Sequence, residues 1–301
     1  MKSALLTALL VCLPALRGAA EPPQRRIALV IDAADPAERG LFDKLAAVYR
    51  GRASVSLYEL DDAHISDPIK KGRVLSALET SDLIVAVGDG ATEFAAREVE
   101  DVPVYFVDAT VVAGRRLASP SVTGLFSYSV ESLLDAIKAL HLGAVGVAFT
   151  PGYEPVADWI RTGAAARGLD IVVKRVATPK DLAPAVRGLL ERTHSIWVVG
   201  DPLLVRGAGF EFIRERTLSL NVPVVGPGEW DVERGALLGY QANPADQAAA
   251  AERSIDQLLR HGEAGPRLSP APRGGDLLLN ATLAEKWDLA PTRGLRWRLL
   301  R

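Results

Sequence analysis

Residues 83–90, LIVAVGDG, and residues 196–203, IWVVGDPL, share one pattern: a β-branched apolar run that stops at Gly-Asp. A Val-Pro-Val triplet follows each run, at Val102-Pro103-Val104 and at Val222-Pro223-Val224. A short, continuously apolar run is the form of a strand covered on both faces, as in a parallel sheet sheathed by helices. Two such runs, each followed by the same triplet at nearly the same spacing, predict two similar lobes in one chain. The repeat is a whole lobe long, which sets it apart from a short-period solenoid.

The surroundings of each run extend the pattern. In the first half, IALVI (27–31) and ASVSLYEL (53–60) read as strands before it, and residues 104–107 as one after it. Helices are predicted from Asp35-Pro36, with Leu41, Leu45 and Val48 on one side, over 67–79 with Pro68 in a tolerated first-turn position, and over 91–98. The alternation restarts after SPSVTGLFSYS (119–129). Strands at 144–149, 171–176, 196–199 and 222–225 alternate with helices at 130–140, 155–167, 180–192 and 208–218. GALLGYQ (235–241) reads as a further strand, and residues 243–261 as a long Ala-rich helix capped by Asn243. A Gly- and Pro-rich connection, a late strand DLLLN (276–280), a short helix and a basic tail with Trp297 complete the chain. Strand–helix alternation with short links predicts the α/β class: two Rossmann-like lobes, each with a mostly parallel sheet, facing each other across a central cleft.

Bulk composition bounds the function. The chain has 301 residues, 49% apolar and 24% charged, which suits a soluble globular protein. Its N-terminus has Lys2, an apolar stretch over 4–16 and small residues at Gly18-Ala19-Ala20, the pattern of a secretory signal peptide over residues 1–20. Cys12, the only cysteine, follows the bulky Val11 within the apolar run. A soluble exported protein is therefore expected rather than a lipoprotein, and its mature chain would carry no disulfide or thiolate metal site. The net charge of −2 argues against a nucleic-acid partner.

In open parallel sheets ligands bind beyond the carboxyl ends of the strands. The residues just past each strand are thus the candidates for a ligand site: Asp32, Asp89, Gly90, Asp108, Thr110, Glu154, Asp201 and Glu229 for polar contacts, Tyr153 and Trp230 for stacking. An Asp in this position can equally be a helix N-cap, and the glycines can serve turn geometry alone. GDGATE (88–93) partly mimics a dinucleotide-binding loop, but Glu93 stands where a third glycine belongs. No Gly-x-Ser-x-Gly elbow occurs, and His64, His141, His194 and His261 lack metal-ligand spacing. The chain is expected to be no enzyme and to hold no cofactor and no metal.

Several stretches, in order, resemble the ABC transporter substrate-binding family that includes TrpX-like periplasmic proteins. They are SDLIVAVGDGATEFA, VPVYFVDATVV, VTGLFSYSVESLLDAIK, AVGVAFTPGYEP, the long segment from VPVVGPGEWDVERGALLGYQ into the Ala-rich helix, and GDLLLNATLAEKWDL. The resemblance spans residues 27–289. It implies a type I periplasmic-binding fold with three crossovers, near 121–124, 239–243 and 267–276. Lobe 1 would comprise 24–121 plus 242–268, and lobe 2 would comprise 122–241 plus 274–301. It also implies a monomeric periplasmic receptor that captures a small-molecule ligand, an amino acid or amine-like, and delivers it to an ABC permease in the inner membrane. Ser127 and Tyr128 join the ligand-site candidates on this basis. The chain departs from the family where Asp89-Gly90 replaces Thr-Pro, where Val111-Val112 replaces Asp-Pro and where Pro227-Gly228-Glu229 replaces Ser-Asp-Glu. Hydroxyls suited to a carboxylate are partly missing, and an amine or hydroxyl would suit the acidic rim better. The alternative is an interaction or sensory module of the same fold, with a degenerate pocket, that feeds a sensor kinase or an outer-membrane system.

Overall fold

The computed structural model describes residues 24–32, 36–262 and 266–301. The expected signal peptide lies outside the described residues. The strands are β1 (Arg26–Asp32), β2 (Ser54–Leu60), β3 (Leu83–Val87), β4 (Val104–Ala109), β5 (Val122–Phe126), β6 (Val145–Phe149), β7 (Ile171–Arg175), β8 (Ser195–Val198), β9 (Val224–Val225), β10 (Leu238–Gln241), β11 (Leu268–Ser269), β12 (Asp276–Asn280) and β13 (Trp297–Leu300). They form two sheets: a six-stranded one in the order β11-β5-β4-β3-β1-β2, and a seven-stranded one in the order β13-β12-β10-β9-β8-β6-β7. All pairings are parallel except β10 with β12.

The two apolar runs sit where their composition demands. Every residue of β3 and of β8 is buried. In the first sheet, alternate side chains face opposite layers. Leu29, Val85, Val107 and Leu125 pack on Leu41, Phe42 and Leu45 of the helix Pro36–Tyr49 and on Ala251 and Ile255 of the helix Pro244–His261. Val30, Ile84, Ala86 and Phe106 face the helix Gly88–Glu98, whose Phe94 joins them. That second layer runs on without a break into the core of the second sheet. Each fully buried Val, Leu, Ile or Phe contributes about 1.5–3 kcal/mol, so both layers are substantial.

Three details differ from the sequence expectation. The first boundary was expected between residues 121 and 122, but β5 pairs with β4 and belongs to the first sheet, so the chain crosses only after it. Thr123 and Gly124 made this strand look like a link. Gly124 is there because a Cβ would lie 2.4 Å from the carbonyl of Phe106. The expected strand over 222–225 shrinks to two residues. The basic tail, where no strand was expected, adds β13 to the edge of the second sheet, parallel to β12.

Candidate functional site

A cavity of about 630 Å³ lies between the two sheets at the carboxyl ends of their strands. From the first lobe it is lined by Asp32, Glu38, Asp89, Gly90, Asp108, Thr110, Val111 and Ser127. From the second it is lined by Arg206, Gly207, Gly228, Glu229, Trp230, Asp231 and Tyr240, and from the connecting segment by Gln241, Ala242 and Pro244. Eight of the candidates from sequence thus meet here: Asp32, Asp89, Gly90, Asp108, Thr110, Ser127, Glu229 and Trp230.

Asp89 stands in the first turn of the helix Gly88–Glu98, directly after β3. One carboxylate oxygen accepts from the backbone N–H of Thr110 (2.6 Å) and of Val111 (2.8 Å), and the other faces Arg206 of the second lobe at 3.5 Å. Burial raises its pKa, opposed by the Val111 N–H, Arg206 and the Thr110 N–H. Gly90 has no room for a side chain, since a Cβ would lie 2.3 Å from Oδ2 of Asp32. Asp108 adopts a left-handed conformation (φ 60°) at the irregularity that ends β4, and Gln247 donates to its carboxylate at 2.7 Å. That backbone is costly for a non-glycine residue and needs fixing by its surroundings. The hydroxyls of Thr110 and Ser127 share a hydrogen bond of 2.6 Å.

The opposite wall is built by the short helix Glu229–Glu233. Glu229 is ion-paired with Arg298 of β13 at 2.5 Å. Trp230 is 50% exposed, and the guanidinium of Arg234 lies over its ring at 4.0 Å and over Phe210 at 4.8 Å. Asp231 accepts from the Gly228 N–H at 3.1 Å, capping the helix. It is 1% exposed, and its Oδ1 has no hydrogen-bond partner. Burial pushes its carboxyl up to about 7; the Gly228 N–H opposes this, the Asp89 charge adds to it, and Arg234 opposes it.

Four sequence candidates do not line the cavity. Tyr153 is buried between the lobes, where the carbonyls of Val112 (2.7 Å) and Gly200 both lie within reach of its one hydroxyl hydrogen. Tyr128 is buried against Phe126, with ring centroids 5.2 Å apart, and its carbonyl accepts from Ala271 in the third crossover. Their rings belong to the core that runs on between the sheets and do not line the cavity. Glu154 turns back on its own loop, accepting from the Gly152 N–H at 2.7 Å, and lies 3.4 Å from Arg175. Asp201 is 6% exposed; it caps the helix Pro202–Val205 through Leu203 (2.8 Å) and accepts from the Gly114 N–H (2.8 Å).

The last contact is part of a direct junction between lobes. Val112 donates to the Gly200 carbonyl at 2.9 Å. A Cβ on Gly200 would lie 1.9 Å from the Thr110 carbonyl, and one on Gly152 would lie 1.9 Å from the Gly114 carbonyl. Only bare backbone permits so close an approach.

Sequence reasoning missed Glu38, Arg206 and Asp231. Asp231 had a signal, for it follows Gly228 by three residues, the spacing of a capping aspartate. Arg206 sits in a break between two helices and carries no periodic mark. Among the described residues, six carboxylates therefore line the cavity, with Arg206 as the single cationic side chain. A carboxylate brought to ~4 Å of one of these charges would be repelled by about 4 kcal/mol at an effective dielectric near 20.

The sequence profile of the ABC transporter substrate binding protein family matches residues 31–292. Among curated proteins none matches the chain. Among solved structures, an ABC domain from Streptococcus pneumonia in complex with L-Trp is 19% identical, with 90% of this chain and 97% of that one covered and a TM-score of 0.56. A conserved domain protein from Vibrio cholerae is 19% identical, with 92% and 100% covered and a TM-score of 0.55. A ligand-free, open substrate binding protein with adhesive properties from Clostridium difficile is 14% identical, with 92% and 100% covered and a TM-score of 0.55. The shared architecture is the two-lobed type I periplasmic-binding fold. With the profile matched from β1 to beyond β12, the chain belongs to the ABC transporter substrate-binding protein family.

Proposed function

We propose that this protein is the exported solute receptor of an ABC importer, which captures a small polar molecule between its lobes and presents it to a permease in the inner membrane. The supporting observation is a cavity of ligand size whose walls come from both lobes, Asp89 and Asp108 on one side and Glu229, Trp230 and Asp231 on the other. A guest touching both walls stabilises the closed arrangement by its differential affinity for it. No helix among the described residues is long and apolar enough to cross a membrane. The receptor acts as a monomer, without cofactor, and performs no chemistry on its ligand.

Thermal unfolding across a panel of amino acids, amines and sugars tests this function. A ligand at a hundredfold excess over Kd adds about 2.7 kcal/mol of stability. Small-angle scattering should show a smaller radius of gyration with the same ligand. A panel that moves neither quantity counts against transport.

One observation favours a second reading, an interaction or sensory module with fixed lobes. The lobes are already joined through Val112, Gly114, Gly200 and Asp201, and a closing motion must pivot about that junction. Invariant scattering together with capture of a sensor-kinase ectodomain would favour it.

A further inference from the structure

Several hydrogen-bond donors around the cavity are already committed to the protein's own acids. Asp89 takes the N–H groups of Thr110 and Val111, Asp231 takes that of Gly228, and Asp108 takes the amide of Gln247. Arg206, the one cationic side chain among the described lining residues, faces Asp89, and Arg298 is held by Glu229. An anionic group entering this space meets acids and no uncommitted cation. Buried acceptor capacity remains. Asp231 is 1% exposed, lines the cavity, and has an oxygen with no hydrogen-bond partner. An unpaired buried acceptor costs stability until a donor reaches it. Trp230 adds an aromatic wall on the same side, and its ring already attracts one guanidinium, that of Arg234. Among the described residues, no three acids converge closely enough to hold a metal ion, so the negative charge is spread along the walls.

The geometry points to a small organic cation as the guest, carrying two or more ammonium or guanidinium groups and no carboxylate, with one cationic end donating to Asp231 beside Trp230. This rests on the receptor function proposed above and narrows its ligand class. Acids stand on both lobes, Asp89 and Asp108 on one and Glu229 and Asp231 on the other, so a guest with more than one positive charge can meet both walls and draw the lobes together.

Isothermal titration with 1,4-diaminobutane, spermidine and agmatine, run beside L-tryptophan, L-glutamate, D-ribose and calcium chloride, tests the proposal. At least one of the organic cations should bind at micromolar Kd or tighter, with affinity falling as salt rises. Asp231→Asn should weaken that binding at least 30-fold while leaving the circular dichroism spectrum unchanged. Arg206→Gln should strengthen it several-fold, because it removes a competing cation. The two variants separate this ligand from an amino acid, whose carboxylate would need Arg206 and would lose its affinity in Arg206→Gln. Binding of tryptophan, glutamate, ribose or calcium with the organic cations silent overturns the proposal and leaves the receptor standing. Silence of every compound overturns both.

Discussion

Gly88-Asp89 and Gly200-Asp201 are the same dipeptide after the same kind of strand, yet they do different work. In the first lobe, Gly88 takes a left-handed conformation (φ 82°), and the Glu38 carboxylate fills the space its side chain would need. Asp89 then reaches across to Thr110, Val111 and Arg206 at the edge of the cavity. In the second lobe, Gly200 lies against the Thr110 carbonyl, and Asp201 is buried between a helix start and Gly114 of the other lobe. One pair furnishes the wall of a cleft, and the other is a joint between lobes. A repeated local motif records a repeated turn, whereas its use depends on what the other lobe places against it.

The comparison can be broken at its tightest point. Gly200→Ala forces a Cβ onto a backbone oxygen that no rotamer change can move, and should cost about 3 kcal/mol or more, lowering Tm by some 6–10 °C in calorimetry. Gly88→Ala meets only the movable Glu38 carboxylate and an unfavourable φ, and should cost about 1–2 kcal/mol. Equal losses would show that the two turns are equally constrained.

Next in size, Asp201→Ala leaves the Leu203 and Gly114 N–H groups without their acceptor and should cost about 2–3 kcal/mol in urea unfolding. Asp89→Ala should cost less stability, since the cavity can admit water to the released N–H groups, and should change ligand affinity instead.

A pH series sharpens the contrast. The Asp231 carboxyl at about 7 stands above its unfolded value, so the folded state binds more protons between the two values. The stability this confers is fully present below the unfolded value and is lost as pH rises through about 7. Asp89, also shifted upward, acts in the same sense. Carboxylates held low by ion pairs, such as Glu59 beside Arg39, complete their titration below this range. Ligand-free protein should therefore lose roughly 1–3 kcal/mol between pH 5 and pH 8, and Asp231→Asn should flatten most of that slope. A slope unchanged in the variant would assign the titration elsewhere.

The smallest effect is expected at Tyr153→Phe. The ring stays packed against Phe126, while the hydroxyl's hydrogen bond to the Val112 or Gly200 carbonyl is lost, for about 1 kcal/mol.

Much of the fold was legible because burial writes itself as periodicity. Continuous apolar runs marked β3 and β8, and Asn243 announced the helix it caps. β5 was hidden because Thr123 and Gly124 resemble a link, and β13 because Arg298 interrupts an edge strand that only neighbours can define. Of the site, the residues directly after strands were found, since chain direction places them at one end of a sheet. Tyr128, Tyr153, Glu154 and Asp201 sit at equivalent chain positions but face the junction or their own loop. Glu38 enters the cavity from a helix and Arg206 from the break between two, and no local pattern encodes either orientation.

From sequence alone came two α/β lobes, the order of most of their strands along the chain and an acidic set of strand ends, because apolar periodicity and turn chemistry are local properties. Only the tertiary structure decided which of those ends face the cavity, which donors they consume and which acceptor remains open, because these depend on contacts between residues about a hundred positions apart.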